Sequence, residues 1–140
     1  RQSVVLETVL RYSPSTEVRT AADSDTLEGG RQAARTLFSG GYAPTAVICV
    51  NDIMAVGALR ELRERGLRVP QDVSVTGFDN VKLSEFCSPA LTTVHIPRER
   101  IGNIICDCLI PESGPPPVGR EFVIDPEFVL RESTGPAPGV

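Results

Sequence analysis

The stretch PTAVICVNDIMAVGALRELRERGLRVPQDVSVTGFDN, residues 44–80, decides the fold class. Residues 46–50 form a continuous apolar run rich in β-branched side chains, the pattern of a strand buried on both faces of a parallel sheet. Asn51 follows as an N-cap, and the spacing predicts a helix to about Arg65, apolar at Val56, Leu59 and Leu62. Glu61 stands four residues before Arg65, and Gly66 offers the left-handed stop. Residues 73–76 read as the next buried strand, ending at Gly77, Phe78 and Asp79. Strand, helix and strand with short joins make a βαβ unit, hence an α/β fold with a parallel sheet flanked by helices and a right-handed crossover.

Upstream, residues 4–10 place Val5, Leu6, Val9 and Leu10 at the spacing of a short amphipathic helix that stops before Pro14. No strand pattern precedes it, which is how a fragment of a larger protein would begin. Residues 17–20 suit a short strand. Asp23, Ser24, Asp25 and Thr26 supply turn and N-cap chemistry for a helix over 27–38, closed by Gly40 and Gly41. Downstream, 81–88 reads as a loop or short helix, 91–96 as a strand and 98–109 as a helix. Ile101, Ile104, Ile105, Cys108 and Leu109 form one apolar stripe on that helix, read as a core face. The proline run in 112–119 marks a turn or linker, 122–124 and 128–130 are short strands, and the tail from 134 is expected to be mobile.

Composition narrows the function. With 140 residues, 41% hydrophobic and 23% charged, the chain can bury one core, and its net charge of −4 gives no electrostatic footprint for nucleic acid. No apolar run approaches the roughly 20 residues of a membrane span, and the first residues lack the order of a signal peptide, so a soluble, cytoplasmic product without a membrane partner is expected. Cys49, Cys87, Cys106 and Cys108 include no CxxC pair and suit the idle or buried thiols of a cytosolic protein. His95 is the only histidine, which removes most catalytic and metal constellations. The motifs GxSxG, GxxxxGK[ST], HExxH and GxGxxG are all missing, and Gly29 with Gly30 fits a helix boundary better than a phosphate cradle. No catalytic residue, metal or cofactor is therefore expected.

Ligands of open α/β sheets bind beyond the carboxyl ends of the strands. Asn51 and Asp52 follow the first strand of the βαβ unit, and Asp79 and Asn80 follow the second. If the strands are neighbours, Asn51 and Asp79 share a cleft where an amide and a carboxylate can bind hydroxyls or amines of a small polar ligand. The alternative is capping and turn formation, which both residue types perform.

Taken in order, the 44–80 block, SPALTTVHIP at 88–97 and LRESTG at 130–135 resemble the effector-binding core of the lactose and purine repressor family of bacterial transcription regulators. The resemblance implies a type I periplasmic-binding-protein-like fold, present in part. Residues 1–94 would be an incomplete C-terminal effector-binding subdomain, 95–126 elements of the N-terminal subdomain, and 127–140 a return strand and tail. It implies a small-molecule effector, sugar or nucleobase-like, gripped by Asp79 and Asn51, with Asp52 the family's recurrent acid at that helix start. Phe78 would be an apolar wall, and Arg1 falls where an effector-binding arginine opens a helix. Ser24 stands where a relative stacks an aromatic ring, and Ile96 where glutamine is usual, so two familiar contacts are missing. The resemblance further implies a homodimer through Val56, Arg60 and Cys87, and operator DNA met only through an N-terminal domain outside this sequence. The expected role is thus the effector-sensing, dimerising region of a transcriptional repressor. A periplasmic sugar-binding component of a transporter is the alternative, and an enzyme on a similar scaffold ranks below both.

Overall fold

A computed structural model describes residues 2–110, 119 and 121–138. The elements in chain order are α1 (Gln2–Tyr12), α2 (Leu27–Leu37), β1 (Ala46–Ile48), α3 (Asp52–Glu64), β2 (Ser74–Thr76), α4 (Lys82–Phe86), β3 (Thr93–His95), α5 (Arg98–Leu109) and β4 (Glu127–Val129). The βαβ unit forms as expected: β1 pairs parallel with β2 in the register Ala46 to Ser74, Val47 to Val75 and Ile48 to Thr76. Parallel bridges from Thr76 to Thr92 and from Asp79 to His95 then bring β3 alongside the far side of β2. Antiparallel pairing with β4 completes the arrangement, Thr93 opposite Val129 and His95 opposite Glu127.

The core lies between the sheet and α3, where Val47, Ala55, Leu59, Leu62, Val73, Val75 and Leu91 cluster. Outside it, α2 packs along α3 at unusually close range. An added Cβ at Gly57 would sit 2.0 Å from the Leu27 carbonyl oxygen, and one at Gly30 would sit 2.1 Å from that of Met54. Two facing glycines thus let the helix backbones touch, a packing role in place of the helix-boundary role expected of Gly30. Beside this crossing lies the buried Glu61 carboxylate. It accepts from Arg35 Nη2 at 2.9 Å and from Arg65 Nε at 3.0 Å, and Arg65 reaches on to the Phe38 carbonyl at the end of α2 at 3.1 Å. Hydrogen bonding to Arg35 foremost holds the Glu61 carboxyl below its ordinary range, against the opposing effect of burial.

Several expectations are corrected. The strand read as buried on both faces buries only Val47, leaving Ile48 and Val50 exposed. Residues 17–20 are irregular, with Arg19 stacked 4.0 Å over the Tyr42 ring rather than paired in a sheet. No residue of α5 is buried, and Leu109 at the end of its stripe is 76% exposed. Residues 122–124 form no strand, and Phe122 and Val123 are exposed. Apolar periodicity says that a face seeks cover, and strand propensity that a segment suits a ladder; neither supplies the neighbour. The tail is pinned at its start, where Gly135 exchanges bonds of 3.1 and 3.3 Å with the Ser74 hydroxyl. Of the expected 112–119 linker, all but Gly119 lies outside the described residues.

Candidate functional site

The carboxyl ends of β1 and β2 lie side by side, so the loops that follow them meet. Asn51 leaves β1 in an extended conformation, and its Oδ1 accepts from the Met54 backbone N–H at 2.8 Å, capping α3. One residue on, the Asp52 backbone N–H donates to the Phe78 carbonyl at 2.9 Å and ties the two loops directly. Asn51 and Asp79 are thus brought to the same edge. Capping occupies only the oxygen of Asn51, whose amide nitrogen has no hydrogen-bond partner among the described residues. Both readings of Asn51 therefore hold at once, one for each end of the amide.

Asp79 is half-buried, and its carboxylate accepts no hydrogen bond from the described residues. Its carbonyl is engaged, taking a 2.7 Å bond from the Arg98 guanidinium at the start of α5. Backbone strain marks the loop: Asp79 has φ 107° and Asn80 φ 51°, left-handed values that cost on the order of 1–3 kcal/mol each without glycine. A strained turn presenting an unengaged carboxylate is suited to holding a polar ligand, since tertiary contacts fix the group before binding.

Asp52 is turned the other way. It is fully buried, with Oδ1 accepting from the Thr93 hydroxyl at 2.5 Å and Oδ2 from the Val81 backbone N–H at 2.8 Å. Gly77 makes room for it, since a Cβ there would fall 2.2 Å from Oδ1. The residue expected among the ligand contacts instead supports the site from beneath, and its charge suits the positive end of α3. Burial, helped by Asp52, also pushes the Cys49 thiol up to about 12, so it stays protonated at neutral pH. Phe78 is half-buried beside the carbonyl that binds Asp52. Ser24 lies in the turn before α2, its hydroxyl 3.0 Å from that of Thr26. Ile96 is half-buried at the exit of β3, and Arg1 lies outside the described residues.

Sequence reasoning missed the polar network behind this edge. Asn80 Oδ1 accepts from Arg131 Nη2 at 2.8 Å, and Asn80 Nδ2 lies 3.2 Å from His95 Nδ1. No local signal announces these bonds, because Arg131 is 51 residues away along the chain. Among the described residues no group of three or more His, Cys, Asp or Glu side chains could hold a metal ion.

A second feature lies on the flank of α3, where Val56, Arg60 and Cys87 line one groove of about 250 Å³ together with Leu27 and Arg63. Val56 is half-buried; Arg60 reaches out to Glu64 at 3.1 Å, with its side chain 62% exposed. Cys87 is held by bonds from its thiol to the Pro89 and Ser84 carbonyls at 3.2 and 3.3 Å, and burial raises its pKa.

Comparison with known proteins places this geometry in context. Residues 2–134 match the family described as periplasmic binding protein-like domain. The transcriptional regulator MalR of Streptomyces coelicolor is 49% identical over 115 residues, which is 81% of this chain and 33% of that protein. The transcriptional repressor CytR of Escherichia coli is 40% identical over 114 residues, again 81% and 33%. The crystal structure of a LacI family transcriptional regulator from Arthrobacter sp. FB24 in complex with lactose superposes with a TM-score of 0.83 at 26% identity, covering 95% of this chain and 51% of that one. The chain thus spans about a third of the length of these two relatives. No helix among the described residues is long and apolar enough to cross a membrane.

Proposed function

Because the chain belongs to the periplasmic binding protein-like domain family, in the branch that holds the lactose and purine repressor type of regulator, we propose that it is the effector-sensing and dimerising region of a cytoplasmic bacterial transcriptional repressor. The observation that carries this is the edge where the unengaged Asp79 carboxylate and Asn51 amide nitrogen stand on adjoining loops of a parallel sheet. A carboxylate that accepts and an amide that donates match the hydroxyls of a sugar or the ring and exocyclic nitrogens of a nucleobase. Lactose in the related Arthrobacter regulator favours the sugar class. Phe78 offers an apolar wall, and the resemblance adds Arg1 to the contacts. No bond is made or broken: effector in the cleft favours one arrangement of two subdomains, and the equilibrium shift reaches operator DNA through a separate N-terminal domain.

The subdomain assignment follows the same logic. Residues 1–94 would be an incomplete C-terminal subdomain, 95–126 elements of the N-terminal one, and 127–140 a return strand and tail, a course supported by the antiparallel pairing of β4 with β3. The groove at Val56, Arg60 and Cys87 is the dimer surface, supported by the way one flank of α3 gathers all three. A transporter component shares the fold, but relatives at 40–49% identity are regulators, which favours sensing. Calorimetric titration of the full-length protein with a panel of mono- and disaccharides and nucleosides, lactose included, tests the site. The expected result is a ligand whose affinity falls at least about tenfold on Asp79→Ala, as loss of a charge-assisted bond requires; unchanged affinity refutes the assignment.

A further inference from the structure

Asp79 is held directly only at its backbone, where its N–H donates to the Val94 carbonyl at 2.9 Å and its carbonyl accepts from Arg98 Nη2 at 2.7 Å. Residues 79 and 80 both have positive φ without being glycine, so this backbone relaxes unless outside bonds hold it. The Asp79 side chain makes none among the described residues, whereas Asn80 makes several. Its backbone N–H lies 3.4 Å from Thr93 Oγ1, its Nδ2 faces His95 Nδ1, and its Oδ1 takes Arg131 Nη2 at 2.8 Å. Arg131 is itself anchored at three further points. Nη1 donates to the Leu91 carbonyl at 2.8 Å and to Ser84 Oγ at 3.1 Å, and its backbone N–H donates to Thr92 Oγ1 at 3.0 Å.

Two features combine at this arginine. No carboxylate forms an ion pair with it among the described residues, so its guanidinium serves neutral acceptors: one amide, one hydroxyl and one carbonyl. Those acceptors sit on three segments, namely the loop after β2, α4 and the approach to β3, which a planar fork can join at fixed angles and a single ammonium cannot. We propose that Arg131 is a positioning residue of the ligand site: it locks Asn80, and through the intervening peptide bond keeps Asp79 in the left-handed conformation that presents its carboxylate. The clamp is independent of any ligand; its effect on affinity rests on the Asp79 reading of the site.

The test uses the full-length protein with Arg131→Met, Arg131→Lys and Asn80→Gly. Amide hydrogen exchange at Asn80 and Val81 is expected to speed up at least about tenfold in Arg131→Met. The Cys49 and Ser74 amides, which bond the Thr76 and Thr45 carbonyls between β1 and β2, should stay within about twofold of the parent. Arg131→Lys, which keeps one arm of the fork, should fall between. In an Asn80→Gly background, where residue 80 takes positive φ without help, the effect of Arg131→Met should shrink. Unchanged exchange at residues 80 and 81 overturns the proposal. So does acceleration shared equally by Cys49 and Ser74, which means general loosening, and so does strict additivity with Asn80→Gly. Calorimetry with lactose as the probe separates the clamp from the site. Equal losses in Arg131→Met and Asp79→Ala support both, and a loss in Asp79→Ala alone overturns positioning. If Asp79→Ala changes nothing or lactose does not bind, the ligand reading is set back, and the exchange data alone decide the clamp.

Discussion

Replacing Asp52 by alanine removes the acceptor of two hydrogen bonds at once. The Thr93 side chain is fully buried, and its hydroxyl then faces a cavity; the Val81 N–H is part-buried and loses its only described partner. An abandoned buried donor costs about 1–3 kcal/mol, with Val81 at the lower end because water has some access. Loss of a negative charge from the first turn of α3 adds roughly 0.3–1 kcal/mol. The expected destabilisation is about 2–5 kcal/mol. Asp52→Asn separates geometry from charge: its oxygen can still accept from Val81 while its amide turns to Thr93, whose hydroxyl then accepts, so about 1–2 kcal/mol is expected as charge-assisted bonds become neutral ones. Urea unfolding followed by circular dichroism measures both, and a midpoint shift converts to free energy if the slope is unchanged. A loss below about 1 kcal/mol for Asp52→Ala, or equal losses for both variants, refutes the two-donor account.

Two further outcomes concern the pairing of α2 with α3. Gly57→Ala should destabilise by about 1–3 kcal/mol despite alanine's better helix propensity, because its Cβ would lie 2.0 Å from a backbone oxygen that only a helix shift can relieve; equal or higher stability in urea refutes the close crossing. Glu61 has a folded pKa below its unfolded value, so its contribution is fully present above the unfolded value near 4.5 and is lost as pH falls through the lower folded one. Arg35→Gln removes the leading cause of that shift and should flatten the acid limb of a stability-against-pH curve, which equilibrium unfolding from pH 7 down to about 3 will show; an unchanged limb counts against the Glu61–Arg35 pairing as its source.

The βαβ unit was legible in the sequence because each of its signals is local: an apolar run, a capping amide, a helical period and a left-handed glycine all fall within 44–80. From it followed the side-by-side strands and the meeting of Asn51 and Asp79. What failed depended on partners distant in sequence. Asp52 looked like another ligand acid because nothing near it announces Val81 and Thr93, 29 and 41 residues on. Gly30 read as a helix boundary, since a backbone crossing with Gly57 is a property of two helices together. The α5 stripe read as a core face, yet periodicity does not name the surface that covers it, and no residue of that helix is buried.

One consequence of α3 concerns distance. The helix begins at the Asn51 cap, where ligand is proposed to bind, and carries Val56 and Arg60 along the groove on its flank. Glu61 and Arg65 fasten it to α2, and a pair joined in this way would answer a push at the cap as one rod. At 1.5 Å per residue Arg60 lies roughly 13 Å from the cap, and a tilt of about 10° there moves it by about 2 Å. Chemical recognition and mechanical output would then occupy two points of a single lever, with no relay of side chains needed between them.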